Sequence, residues 1–323
     1  MFMIIENKTI AGFKKTKLGL IPSDWDIKKM AGIVEIDSES LGSKTPVNYS
    51  FKYVSLSDIN NGIISSKLET FEFKNSPSRA RRVVAKKDIL LATVRPNLKS
   101  FAMVLDAEDL VASTGFAVLR ARKDILDPYF LFHTIFGNNI EKQIYGLVVG
   151  SNYPAINSKD VKGLRVLLPP LPEQRKIAEI LSTWDKAIET LEKLIEQKEK
   201  LKKGLMQQLL TGKKRLPGFE GEWKKVRLRQ VANVKKGKAL SSSGLIKGSY
   251  PVIAGGKSSP YKHNKYTHEK VITVSASGAY AGYVAYHENK IWASDCSVIK
   301  ALEDLAMTEY VYFLLSFNQR RIT

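Results

Sequence analysis

Arg79, Arg81, Arg82, Arg95, Asn97, Lys99 and Asn152 collect in polar stretches of the first half of the chain. Lys257, Tyr261, Lys262, Asn264, Lys265, Ser275, Ser277 and Tyr280 do so in the second half. These residue types suit the binding of a polyanion. Arg and Asn match guanine and adenine edges bidentately, while Lys and Ser mostly hold phosphates. Any one of them also reads as a solvated loop residue; it is their recurrence, with interleaved aromatics, in both halves of the chain that gives the set weight.

Patterns for covalent chemistry are weak by comparison. Gly256-Lys257-Ser258 has the ending of a phosphate loop, but Pro251 stands where the loop needs its first glycine. Pro169-Pro170 lacks the preceding Asn or Asp and the following aromatic of an adenine methyltransferase catalytic loop, and reads as a stop before a helix. His263 and His268 have neither i, i+4 spacing nor a neighbouring Cys, so no metal site is expected. Gly278-Ala279-Tyr280-Ala281-Gly282 lies between apolar runs and reads as a turn, not a dinucleotide fingerprint. The single Cys296 excludes an intrachain disulfide framework and reads as a half-buried strand residue in a reducing cytoplasm. No catalytic residue is expected.

Composition agrees with a polyanionic partner. The 323 residues carry a formal net charge of +19 at pH 7, with a sequence pI near 9.7. Residues 1–170 hold 24 Lys+Arg against 17 Asp+Glu, residues 171–216 hold 11 against 7, and residues 217–323 hold 16 against 8. Since no single tail explains the excess, nucleic acid is favoured over a membrane. The apolar start Met1-Phe2-Met3-Ile4-Ile5 is too short for a signal peptide, and no run approaches the roughly 18 apolar residues of a membrane span.

The elements that would position these residues fall into three segments: a mostly-β module over 1–170, a long helix over 171–216, and a second mostly-β module over 217–323. The fold class is α+β. Within the first module, a lead-in to residue 17 and a turn-rich approach to Trp25 precede the strand Phe51–Leu56 and a hairpin around Asn60-Asn61-Gly62. The strand Asp88–Val94 runs into the cationic loop Arg95–Ser100. Leu110–Ala112 and Phe116–Leu119 read as one continued pattern, and Pro128 opens an amphipathic helix through Phe136. Leu147–Val149 and Leu164–Leu167 flank the turn Gly150–Pro154. From Leu171 the chain runs free of Gly, Asn and all Pro but Pro172 as far as Lys203, and Ile177, Leu181, Trp184, Ile188, Leu191 and Ile195 trace a coiled-coil seam.

An internal repeat follows. Val111-Ala112-Ser113-Thr114 aligns with Trp292-Ala293-Ser294-Asp295, and Tyr129, Phe132 and Phe136 fall on Tyr310, Phe313 and Phe317, all 181 residues on. Asp88–Val94 resembles Lys270–Val274, and the approach to Trp223 resembles that to Trp25. Continued past Thr323, the offset predicts a second long helix from about 354 to about 393. The second module therefore reads as short of its last turn, strand and helix.

Pro169-Pro170-Leu171-Pro172-Glu173-Gln174-Arg175-Lys176-Ile177-Ala178, with Gln207-Gln208-Leu209-Leu210-Thr211-Gly212 closing the helix, resembles the central region of specificity subunits of type I restriction-modification systems. The resemblance implies two target recognition domains that each read half of a split site in double-stranded DNA, with the helix as spacer and docking bar. It implies methyltransferase subunits and restriction/translocase subunits as partners, with S-adenosylmethionine, ATP and Mg²⁺ belonging to those partners and no cofactor in this chain. The unpaired seam is expected to be covered by a second copy, a methyltransferase subunit or a further part of the chain. The alternative from another class is a coiled-coil adaptor or dimeriser whose modules bind protein.

Overall fold

The computed structural model describes residues 12–60, 62–149, 154–257 and 259–319. The chain divides into two compact units, one up to Thr190 and one from Leu191.

Two four-stranded sheets build the first unit. One runs, in spatial order, Ala102–Met103, Ile89–Ala92, Phe116–Ala121 and Val34–Ile36, all antiparallel. The other runs Glu69–Glu72, Ser50–Val54, Leu110–Ser113 and Ala80–Val83, and its central pair is parallel. Leu110–Ser113 and Phe116–Ala121, read as one pattern in sequence, thus belong to different sheets. Every residue of Ile89–Ala92 and of Leu110–Ser113 is buried, which is why both look like continuous apolar runs instead of alternating ones. Leu90, Phe116, Leu119, Leu126 and Leu131 lie at the centre of this core.

Among the described residues, four short helices complete the unit, the shortest being Met30–Ile33. Pro128–Ile135 starts as expected, its Asp127 side chain accepting from the Tyr129 and Phe130 amides. Two others correct the sequence reading. Leu147 ends a helix, Asn138–Leu147, whose buried Ile140 and Ile144 recur at the four-residue helical step. Ser158–Gly163 is a helix closed by a capping box between Asn157 and Asp160. The lead-in also holds an unexpected hairpin, Phe13–Thr16 with Gly19–Pro22. Trp25 is half-buried instead of a core anchor, and its indole N–H donates to Glu173 Oε2 at 3.0 Å.

The long helix covers Leu171–Leu209 and, at 1.5 Å per residue, is about 58 Å long. Its first turns are built into the first unit. Gln174 is 1% exposed; its Oε1 accepts from Asp127 N (2.9 Å), and its Nε2 donates to Ile125 O (3.0 Å) and Pro169 O (2.8 Å). Ile177 and Ala178 pack on the core. Beyond them the seam is exposed, from 40% at Leu181 to 66% at Trp184 and 54–59% at Ile188, Leu191 and Ile195.

The second unit repeats the four-stranded antiparallel sheet of the first and three strands of its other sheet, with no counterpart of the edge strand Ala80–Val83 among the described residues. Ala232–Lys236, Cys296–Ala301, Val271–Ser275 and Val284–His287 form an antiparallel sheet. Tyr250–Ile253 pairs in parallel with Trp292–Ala293, as Ser50–Val54 does with Leu110–Ser113. The uniform offset of 181 is corrected. Ile89 lies opposite Met103 and Leu119, and Ile272 opposite Tyr286 and Ile299. The hairpins therefore correspond at 183, and the strand after them at 180. The helices also correspond at 180, because Leu131 N donates to Asp127 O and Val311 N to Met307 O. The connection in between is three residues shorter in the second unit, and buried aliphatics set the helix register, leaving Tyr310 and Phe313 exposed. Trp223 is 46% exposed, unlike its expected counterpart Trp25, and Cys296 is fully buried instead of half-buried. Burial pushes the Cys296 thiol up to about 11.

Burial also holds three histidines below their ordinary value of 6.5. His133 Nε2 lies 3.1 Å from Ser182 Oγ on the long helix, His287 Nε2 lies 2.8 Å from Thr273 Oγ1, and His268 sits near Lys235. The folded chain therefore binds fewer protons than the unfolded one on acidification. Their contribution to stability is full above pH 6.5 and is lost as pH falls toward the depressed folded values. A melting temperature lower at pH 5.5 than at pH 7.5 is expected, with the difference narrowed by His287→Gln; a pH-independent melt would contradict it.

Candidate nucleic-acid interface

The cationic residues of the first unit fall into two groups on different sheets. Arg79, Arg81 and Arg82 lie at or on the edge strand Ala80–Val83. Arg79 is exposed. Arg81 bends back, donating to Ala80 O (2.7 Å) with its guanidinium 4.9 Å from the centre of the Phe73 ring. Arg82 pairs with Asp37 at 2.9 Å in a mostly buried site, where Asp37 also accepts from Val118 N and from Ser158 Oγ. The charge of Arg82 is thus matched by Asp37 within the first unit. A second internal pair, unforeseen from sequence, joins buried Asp88 to Arg120 through two hydrogen bonds of 3.0 and 2.9 Å, with Glu39 on the far side. Hydrogen bonds to Asp88 and then to Glu39 raise the Arg120 guanidinium above its ordinary value. These partners are 32 and 81 residues from Arg120, so spacing gave no signal of them.

The other group is the turn after strand Ile89–Ala92. Arg95 and Asn97 are exposed, and Lys99 is half-buried with its Nζ 3.0 Å from Glu141. Lys99 is therefore held from within, as Arg82 is. Pro96 is buried beneath the tip. Arg95 N donates to Pro154 O (2.7 Å), which ties the turn to the segment entering Ser158–Gly163. Asn152 lies outside the described residues.

In the second unit, Lys257, Ser277 and Tyr280 come together. The Lys257 ammonium sits 5.4 Å from the Tyr280 ring centre and 5.8 Å from that of Tyr283. Ser277 Oγ donates to Asp295 Oδ2 at 2.9 Å. Ser275 is 6% exposed, and its hydroxyl has no hydrogen-bond partner among the described residues. Tyr261, Lys262, Asn264 and Lys265 stand apart, around the short strand Lys262–His263, and all four are exposed. His263 is buried against Trp292, ring centres 4.3 Å apart, and its Nδ1 accepts from Lys265 N. Both units thus present cations, amides and rings on turns at the ends of a buried sheet, a surface able to grip a phosphate backbone and reach base edges.

A family model described as "Type I restriction modification DNA specificity domain" matches residues 22–200 and 220–323. The chain belongs to this specificity family. It is 30% identical over 221 residues to the putative type I restriction enzyme MjaX specificity subunit of Methanocaldococcus jannaschii, covering 65% of this chain and 51% of that one. With the HindI specificity subunit of Haemophilus influenzae, identity is 29% over 125 residues, 38% of this chain and 27% of the relative. The chain thus spans about half the length, or less, of these relatives. Among solved structures, the HsdS subunit from Thermoanaerobacter tengcongensis shares 25% identity at a TM-score of 0.50, over 94% of this chain and 81% of that one. A type I S subunit from M. genitalium shares the fold at a TM-score of 0.68 and 18% identity, over 92% and 78%. The described elements, mixed sheets in each unit and the long helix Leu171–Leu209, have the α+β architecture expected of a member of this family. No helix among the described residues is long and apolar enough to cross a membrane.

Proposed function

We propose that this chain is the non-catalytic, sequence-reading component of a cytoplasmic type I restriction-modification complex, each module contacting one half of a bipartite duplex target. The observation that carries this reading is the duplicated scaffold: one sheet topology built twice, each copy ending in turns with exposed cationic, amide or aromatic residues. Family membership and the net charge of +19 support it. The exposed stripe of Leu181, Trp184, Ile188, Leu191 and Ile195 is assigned to docking methyltransferase subunits, with the restriction/translocase subunits joining that core. S-adenosylmethionine, ATP and Mg²⁺ are assigned to those partners.

A gel-shift experiment with the matching methyltransferase subunit tests the reading. Binding is expected to be selective for one split sequence and to weaken steeply with salt as condensed counterions are released. Equal affinity for all duplexes would sink it. In the same assay, Trp184→Glu should weaken subunit assembly at least tenfold while the isolated chain keeps its melting temperature, because Trp184 makes up surface and not core.

A further inference from the structure

The two hairpins that correspond at 183 share more than length. Each begins on a lysine in the left-handed region, Lys87 (φ 72°) and Lys270 (φ 50°). Each then makes a turn with two more left-handed residues four positions apart: Arg95 (φ 48°) and Lys99 (φ 51°) in the first unit, Gly278 (φ 79°) and Gly282 (φ 78°) in the second. The hydrogen bond inside the turn corresponds as well, Leu98 N to Arg95 O at 2.9 Å and Ala281 N to Gly278 O at 3.1 Å. This is one backbone turn written in two sequences.

Glycine is the residue that turn favours, since a Cβ strains the left-handed conformation. Crowding is not the reason in the second unit, where a Cβ on Gly278 would meet nothing within 4 Å. The second copy shows that the turn can be built from glycine. The first copy builds it from arginine and lysine against the backbone preference, and residues held that way collect where side chains have work to do.

The surroundings separate the two roles. Lys99 turns inward to Glu141 and, through its own amide, to Pro96 O (3.0 Å). Arg95 has its amide fixed by Pro154 O while its residue stays exposed, and Asn97 and the 64% exposed Leu98 complete the tip. Arginine and asparagine are the side chains whose paired donors and acceptors fit guanine and adenine edges, and a leucine tip suits a thymine methyl. A strained but fixed turn presents them with little conformational freedom left to lose.

We infer that the Arg95–Leu98 tip is the base-reading element of the first module, with Arg95 and Asn97 contacting base edges in one half-site and Lys99 acting as a positioning residue through Glu141. The inference rests on the DNA-reading function proposed above.

The full chain, assembled with its methyltransferase subunits, is used to select from duplexes randomised in both half-sites. Arg95→Gly removes the side chain and leaves at this position the residue that the left-handed backbone favours, so the variant is expected to stay folded. The same variant should lose about tenfold or more in affinity for the selected duplex and its preference at one or two positions of one half-site only. Asn97→Ala should leave the melting temperature unchanged and lose preference at a neighbouring position, which keeps the test independent of the backbone effect. A folded Arg95→Gly variant with unaltered selection would overturn the inference, as would a uniform loss across all duplexes with a shallower salt dependence, the mark of a phosphate contact. A wild-type complex with no preference would defeat the parent reading too, and is told apart because it shows before any substitution is made.

Discussion

Gly237→Ala is expected to destabilise the second unit by about 3 kcal/mol, a large effect for one methyl group. Gly237 follows strand Ala232–Lys236 and crosses the end of the sheet, where its amide donates to Cys296 O at 2.8 Å and the next amide, Lys238 N, donates to Ala293 O at 2.8 Å. Leu240 N reaches Ser294 Oγ (3.1 Å) and Trp292 Nε1 reaches Lys238 O (2.9 Å). A Cβ at 237 would press into the Ser294 carbonyl oxygen and lie 2.8 Å from that of Ala293. Both obstacles are backbone, so no side chain can swing aside, and relief requires giving up the four hydrogen bonds. Hydrogen exchange should speed up in peptides covering Trp292–Ala301 while those of Ile89–Ala92 are unchanged. Unaltered exchange in the second unit would show that the crossing has room to shift.

Removing the Gln174 side chain should have a similar effect on the first unit. Gln174→Leu keeps the volume but strands the Asp127 amide and the carbonyls of Ile125 and Pro169 where water cannot replace the lost partner, a cost of about 3 kcal/mol. Gln174→Glu sharpens the test. The carboxylate can still accept from Asp127 N, yet it faces two carbonyl oxygens it cannot donate to, so it should be at least as damaging. Urea titrations of both variants should show a lowered midpoint, with early loss of protection in Pro128–Ile135 and at the start of the long helix. If Glu were tolerated as well as Gln, the two carbonyls would have to be satisfied otherwise.

These two positions mark how far the sequence could be read. The long helix was legible because Pro169–Pro172 signals its start and Ile177, Leu181, Trp184 and Ile188 keep helical spacing for many turns. The buried strands were legible as short apolar runs. Gln174 was visible only as part of a motif, since its partners are loop backbone groups carrying no residue signature. Helix Asn138–Leu147 is not legible because just two of its residues, Ile140 and Ile144, are buried, while its other large apolar residues, Tyr145 and Leu147, are exposed and blur the apolar face. The repeat is legible but its spacing is not: the offsets of 183 and 180 bracket the 181 that the aromatic matches suggest, and a shortened connection leaves no trace in a gapless comparison.

The candidate site divides along the same line. Composition pointed to Arg79, Arg95, Asn97, Lys257 and Tyr280, which are exposed. It could not separate them from Arg82 or Lys99, because Asp37 and Glu141 are distant in sequence and meet them only after folding. Nor could it find the left-handed turn of the first unit, which arginine and lysine disguise as an ordinary basic loop.

The parallel pairing of Ser50–Val54 with Leu110–Ser113 has a kinetic consequence. That contact closes a long excursion of chain, so its entropy must be lost before the pairing returns any energy, and the pair should form late and slowly. The same closure is insensitive to how long the excursion is, since doubling it costs only about 0.6 kcal/mol. Turns within the stretch between Val54 and Leu110, the Arg95–Lys99 turn among them, can therefore be lengthened at little entropic cost to this closure, provided the strands they join are kept. A fold with this pairing trades folding speed for freedom to acquire new surfaces.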